Sequence, residues 1–125
     1  MKASLLAIVL SISAFVSSVS RADIIRDCEN SLQEAQANLL EKQDLFGMGE
    51  ITRTEVSAAE LRLLTVRLQC GNIENDQFCK EAPVVAQSVL EGMLEESRIG
   101  MRSKAEVKAA RKAVRQVSAQ CQSSI

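Results

Sequence analysis

Residues 28–70 read CENSLQEAQANLLEKQDLFGMGEITRTEVSAAELRLLTVRLQC, a segment that begins and ends with a cysteine. The chain repeats this arrangement 51 positions later, because Cys79 and Cys121 again stand 42 positions apart. Other residues keep the same offset; they include Leu39 and Leu90, Gly49 and Gly100, Glu55 and Glu106, Val56 and Val107, and Ala59 and Ala110. So many coincidences at one offset predict two copies of one structural unit.

Apolar residues in each copy follow a helical period, with spacings of three and four. Before the glycines at 47 and 49 these positions are Ile25, Cys28, Leu32, Ala35 and Leu39; after them they are Val56, Ala59, Leu63, Val66 and Cys70. The second copy matches the latter half with Val107, Ala110, Val114, Val117 and Cys121. Each copy is therefore predicted to be two helices joined by a glycine-containing turn.

Two pairs of residues predict how the second and fourth helices begin. Thr52 with Glu55, and Ser103 with Glu106, have the spacing of a capping box, in which hydroxyl and carboxylate each satisfy a backbone donor.

The start of the third helix is less sharply marked by the sequence. Asn75 or Asp76 can begin it, but Pro83 follows, and an interior proline costs about 3 kcal/mol. The helix is therefore expected either to start near Pro83 or to kink there, which would leave Cys79 just ahead of the regular helix.

The four cysteines predict two disulfides in an exported chain. About twenty residues of helix rise about 30 Å. Because the two helices of a hairpin are of similar length and run in opposite directions, the second cysteine lies beside the first. The fold class is then all-α, with two tandem stapled hairpins packed as an up-down-up-down four-helix bundle. That bundle puts all four cysteines at one end, so the nested pairing Cys28–Cys121 with Cys70–Cys79 stays open. The repeat favours Cys28–Cys70 with Cys79–Cys121.

The N-terminal segment has the composition of a secretory signal. Lys2 precedes an apolar run from Ala3 to Val19 that ends in small residues, and we expect cleavage after Ala22, with Ser20 as the alternative. An uncleaved membrane anchor is the competing interpretation, although the run is short for a span of about 20 residues. The predicted organisation is a signal peptide at 1–22, a first hairpin at 23–74 and a second at 75–125, in a periplasmic or secreted protein.

Composition excludes several classes of chemistry. The sequence has no His, Tyr or Trp, so a histidine acid/base pair and an aromatic stacking platform are absent. No cofactor, no metal site and no catalytic constellation is predicted, and we expect a protein that is not an enzyme. Removal of Lys2 and Arg21 leaves 13 basic against 16 acidic side chains, a balance that does not suggest a nucleic-acid partner.

Residues 45–64, LFGMGEITRTEVSAAELRLL, resemble the hairpin tips of periplasmic membrane-fusion adaptor proteins. They are also similar to a Gly-x-x-Thr-Arg-Thr segment of outer-membrane efflux channels. The resemblance implies that Leu45 and Thr52 match the leucine and serine through which adaptors dock to their channel. The arginine of that pattern is replaced here by Glu41, and the second copy keeps only Ser103. The resemblance covers about twenty to thirty residues and implies a helical hairpin that serves as an accessory to an export complex.

Two surfaces are candidates for partner contact. In the fourth helix Lys104, Lys108, Arg111 and Arg115 share one face, which is typical either of a solvated helix or of a binder of anionic surfaces. In the second helix Leu61, Leu64 and Leu68 form a second apolar face, where the fourth helix has Lys112, Arg115 and Ala119. This leucine row is expected to pack against the third helix or, failing that, to meet a partner.

These features together predict an exported helical scaffold that binds an envelope protein through helix-to-helix contact. A binder of anionic envelope surfaces and an accessory of an export complex are the alternatives. The partner's identity and the oligomeric state are not predicted.

Overall fold

The computed structural model describes the backbone of residues 2–122 and the side chains of residues 25–122. The chain forms four helices in the order α1 (Lys2–Gly47), α2 (Arg53–Gln69), α3 (Asn75–Arg98) and α4 (Lys104–Gln122). The predicted signal peptide, residues 1–22, lies outside the side chains described. Within the described part of the chain, no helix combines the length and apolar character that crossing a membrane requires.

Both disulfides have the pairing that the repeat favours. Cys28 is bonded to Cys70 and Cys79 to Cys121, each with a Cα–Cα distance of 5.5 Å and a sequence separation of 42. The nested alternative is therefore wrong, and no cysteine among the described residues is free. Each bridge joins the two helices of one hairpin at the end opposite its turn, so α1 pairs with α2 and α3 pairs with α4.

The turns end the helices in the same way in both hairpins. Gly49 and Gly100 have φ angles of 75° and 85°, the left-handed conformation that glycine adopts without steric cost. In the first turn the N–H of Glu50 donates to the carbonyl of Leu45 at 2.9 Å; in the second that of Met101 donates to Glu96 at 2.8 Å. These bonds define Schellman motifs and confirm the glycine turns predicted for both copies.

Pro83 lies inside α3 rather than at its start. α3 runs from Asn75 to Arg98 without interruption, so the prediction that Cys79 precedes the regular helix is wrong, whereas a start at Asn75 is correct. Since α3 packs on both α2 and α4, packing on two sides offsets the loss of one backbone hydrogen bond at the proline.

The core lies where α2, α3 and α4 meet. Leu61 and Leu64 of α2 are each 8% exposed and pack with Phe78 and Ala82 of α3 and Val117 of α4. At the other end of the α2–α3 interface, a Cβ on Gly92 would overlap the Thr54 side chain, so the backbones approach closely there. The second hairpin is thus fixed to the first by an apolar interface.

The bundle is open on one side. α1 packs on α2, α2 on α3 and α3 on α4, but in the part of the chain that the structure describes no Cα atoms of α1 and α4 come within 8 Å. The all-α, up-down-up-down order is confirmed. Because each helix packs on its chain neighbours, the molecule has two end helices, α1 and α4, as repeat arrays do.

Candidate functional site

Arg102, in the turn between α3 and α4, connects the tips of the two hairpins. Its Nε donates to Glu96 at 3.3 Å and its Nη1 donates to Glu106 at 3.1 Å, both in the second hairpin. Its Nη2 reaches the first hairpin, where it donates to the Thr52 hydroxyl at 3.4 Å and lies 3.5 Å from a Glu55 oxygen. One side chain therefore ties together the starts of α2 and α4 and the end of α3.

This tip cluster, formed by Arg102, Glu55, Glu96 and Glu106, is partly buried and carries one base against three acids. The Arg102 and Glu96 side chains are 14% and 9% exposed. Burial lowers the pKa of Arg102, but the hydrogen bonds to Glu96 and Glu106 and the charges of Glu96 and Glu55 raise it by more. One Glu96 oxygen is buried without a hydrogen-bond partner. The cluster thus fixes the hairpin tips and leaves one carboxylate incompletely satisfied.

The capping box forms in only one of the two predicted places. At α4 the N–H of Ser103 donates to Glu106 and the N–H of Glu106 donates to the Ser103 hydroxyl, both at 3.2 Å. The hydrogen bond from the Ser103 N–H, followed by the one from Arg102, holds the pKa of Glu106 below its usual value. At α2, Thr52 makes no side-chain capping bond. The prediction for Thr52 and Glu55 is wrong because Arg102 engages both side chains.

Sequence reasoning missed this cluster. Glu96 is buried, yet neither it nor its partner Arg102 is among the residues that the sequence analysis singles out. The repeat did contain a sign of the pair, since Glu96 and Arg102 replace Leu45 and Ile51 at the same two positions of the first copy. A paired exchange of two apolar residues for opposite charges is typical of an ion pair.

The leucine row of α2 lies against α3, the first of its two predicted places. Leu61 and Leu64 belong to the buried core and Leu68 packs against it. Burial against the third helix is thus confirmed, and this row is not a free contact surface. Of the two residues matched to adaptor tips, Leu45 is half-buried and Thr52 accepts its hydrogen bond from Arg102.

The predicted basic face of α4 is open to solvent. Lys104, Lys108, Arg111 and Arg115 are all exposed, and so is the neighbouring Lys112. The basic side chains that the sequence places on one face therefore form a continuous charged surface along an end helix.

The open side of the bundle exposes an apolar groove between α2 and α4, floored by α3. Its central part has a volume of about 390 Å³. The lining is apolar except for Arg62, Thr65 and Glu106; it comprises Ala58, Leu61, Thr65 and Val66 of α2, Val89 and Met93 of α3, and Ala109, Ala110 and Ala113 of α4, with Arg62 and Glu106 at the rim. We call this surface the α2–α4 groove.

The α2–α4 groove continues toward the disulfide end. A second depression shares Leu61, Thr65 and Ala113 with it and reaches Phe78 and Gln120. From Glu106 to Gln120, α4 rises about 21 Å at 1.5 Å per residue. In a closed four-helix bundle this space would hold the remaining helix, but here α1 packs on α2 alone. Its Asn38 and Lys42 reach only the tip end of the groove, beside Ala58, Arg62 and Met93. The groove is therefore about as long as four helical turns and holds no helix from the described residues.

Comparison of the chain with protein-family models, with curated proteins and with solved structures finds no match. Within the described residues no group of three acidic, cysteine or histidine side chains is arranged to hold a metal ion.

Proposed function

We propose that this protein is an exported helical binding module that captures an amphipathic helix of an envelope protein in the α2–α4 groove. The observation that carries the proposal is the apolar gap, about four helical turns long, on the open side of the bundle. Amphipathic helices dock into such grooves through apolar anchors at positions i, i+3 or i+4, and i+7.

The shape of the groove favours a helix over a small ligand. Three alanines of α4 and Ala58 of α2 line it, and such small side chains would let the backbone of a docked partner helix approach closely. The groove is long and open to solvent rather than enclosed, and a length of about 21 Å matches four helical turns. The partner segment would present a row of apolar residues along about four turns.

Export is part of the proposal. Two disulfides are typical of proteins from oxidising compartments, and the predicted signal at 1–22 would deliver the chain there. Together they support a periplasmic or secreted location and a partner in the envelope.

The test places a photo-crosslinking amino acid at Ala109, which is exposed on the groove wall. The same residue at Ala37, which is exposed on α1 and does not line the groove, serves as the matched control. We expect one envelope protein to be captured from position 109 only. A synthetic peptide of the crosslinked segment should then bind the isolated protein, and Ala109→Glu should abolish that binding while Ala37→Glu leaves it unchanged.

Equal capture from both positions would contradict the proposal, as would a peptide that binds the Ala109→Glu variant as tightly as the wild type. Circular dichroism of both variants separates loss of binding from loss of folding, because neither alanine lies in the core.

A second candidate function follows from the exposed bases of α4. Lys104, Lys108, Arg111 and Arg115 would bind an anionic envelope surface such as lipid headgroups. Binding to vesicles with anionic lipid should then weaken with salt and with the reversal of Lys104 and Lys108 to Glu. Salt-independent binding would reject this candidate.

The adaptor-like role stays a weaker candidate. Thr52, one of its two docking residues, already accepts a hydrogen bond within the molecule. If Leu45→Ala and Thr52→Ala variants recover the same envelope proteins as the wild type, this role is excluded.

A further inference from the structure

The two end helices carry opposite charge. The described part of α1, residues 25–47, has five acidic and two basic side chains, whereas α4 has five basic side chains and one acidic. In the described residues these helices do not pack on each other, so both charges face outward at opposite ends of the array.

The repeat shows which faces these charges occupy. The α2–α3 interface contains Leu61 and Leu64 of α2 against Phe78, Ala82 and Val85 of α3. Shifted by one repeat, the α2 positions become Lys112 and Arg115 of α4, and Phe78 and Val85 become Asp27 and Glu34 of α1. All four charged side chains are exposed. The outer faces of α4 and α1 are thus the repeat equivalents of the α2 and α3 faces that join the two hairpins, with charged residues in place of apolar ones.

The charges also match in register. Inside the molecule Gly92 lies against Thr54, and the antiparallel helices then place Val85 opposite Leu61. The same register, carried one repeat further, places Glu34 of one molecule opposite Lys112 of another. Asp27 and Glu41 each fall about one turn from a base of α4, Arg115 and Lys108 respectively. In this register every acid on this face of α1 would have a basic neighbour on α4 of the second copy.

We propose that copies of this protein associate head to tail, with α4 of one copy beside α1 of the next in the antiparallel register of α2 and α3, at the wider helix separation that Glu41 in the place of Gly92 requires. A repeat array whose end faces are merely polar stays monomeric. Here the two end faces carry charges of opposite sign in matching register, which favours a second copy of the chain as the binding partner. Exposed ion pairs are individually weak, so this association is reversible and depends on salt. It uses the end helices and leaves the α2–α4 groove open.

Sedimentation velocity of the oxidised protein tests the proposal. At about 20 mM salt the sedimentation coefficient should rise with protein concentration; at about 500 mM, where the Debye length is near 4 Å, it should not. Lys112→Glu and Glu34→Lys should each weaken self-association about tenfold or more. The double variant Glu34→Lys/Lys112→Glu should restore it, because the pair is reformed with its signs exchanged.

Lys80→Glu is the matched control, since Lys80 is an exposed base of α3 and its reversal changes net charge equally. A carbodiimide crosslink between Glu34 and Lys112 that joins isotopically labelled to unlabelled chains would directly support the contact. A monomer at low salt would overturn the proposal. Equal weakening by Lys80→Glu and Lys112→Glu, or no recovery in the double variant, would also overturn it. Helicity and intact disulfides are verified for each variant.

Discussion

The two hairpins share helices, turns and disulfides, and two of the places where they differ bear on what each hairpin contacts. At the tip, the first hairpin has Leu45 and Ile51 where the second has Glu96 and Arg102. Along their second helices, α2 has a leucine row where α4 has bases. The repeated residues make the hairpin, whereas the differing residues decide what each hairpin contacts. The leucine row of α2 packs on α3 inside the molecule, whereas the equivalent face of α4 is exposed to solvent.

The largest effect is expected from exchanging residue types at one pair of equivalent positions, Leu64 of α2 and Arg115 of α4. Leu64→Arg should destabilise the protein by about 5 kcal/mol or more, because it removes a buried leucine and buries a charge. Arg115→Leu, at the same position of the second hairpin, should change stability by less than about 0.5 kcal/mol. Urea unfolding followed by circular dichroism measures both. Similar losses would mean that the helix faces are not as different as their burial indicates.

The disulfides should show where the hairpins are alike. Both close loops of 42 residues, so replacing either pair with serines should cost about 4 kcal/mol in the chain-entropy model. The local effect should differ, because α1 packs on α2 alone while α3 packs on two helices. Hydrogen exchange should therefore report loss of protection in α1 without Cys28–Cys70. Equal protection of α1 and α3 in the two variants would contradict this.

The tip difference can be reversed by design. Arg102→Ile alone should destabilise by about 3 kcal/mol, because Glu96 is left buried without its partner. Adding Glu96→Leu restores the apolar pair of the first hairpin and should recover that loss or stabilise the protein further. Thermal unfolding of the single and double variants gives the comparison. A double variant less stable than the single one would mean that the links from Arg102 to Thr52 and Glu55 outweigh its bond to Glu96.

The smallest expected effect distinguishes the capping of the N-termini of α2 and α4. Ser103→Ala removes a formed capping box and should cost about 1 kcal/mol. Thr52→Ala should cost a few tenths of that, because its hydroxyl accepts one long bond from Arg102 and does not cap α2. Equal losses in chemical denaturation would show that Thr52 does cap its helix in solution.

Much of this fold follows from short-range patterns. Spacings of three and four residues, the glycine turns and the 51-residue offset predict both hairpins and their disulfides, because each is a local or repeated feature. The position of Leu61 and Leu64 against α3 also follows from their second apolar face.

The misses share a physical cause, which is tertiary context. Pro83 is accommodated because α3 has neighbours on two sides, and Thr52 does not cap because a side chain from the other hairpin competes for it. The α2–α4 groove depends on α1 packing on α2 alone and not on α4, and an apolar period does not specify that choice.

The disulfides also determine how the molecule would carry mechanical load. A pulling force applied between residues 28 and 121 would pass through Cys28–Cys70, along residues 71–78, and through Cys79–Cys121. The helical stretches 29–69 and 80–120 lie in parallel with these covalent bonds and would bear almost no tension. Loaded between residues 28 and 121, the molecule would lengthen only along residues 71–78, which include the first turn of α3, and the rest of both hairpins would stay folded.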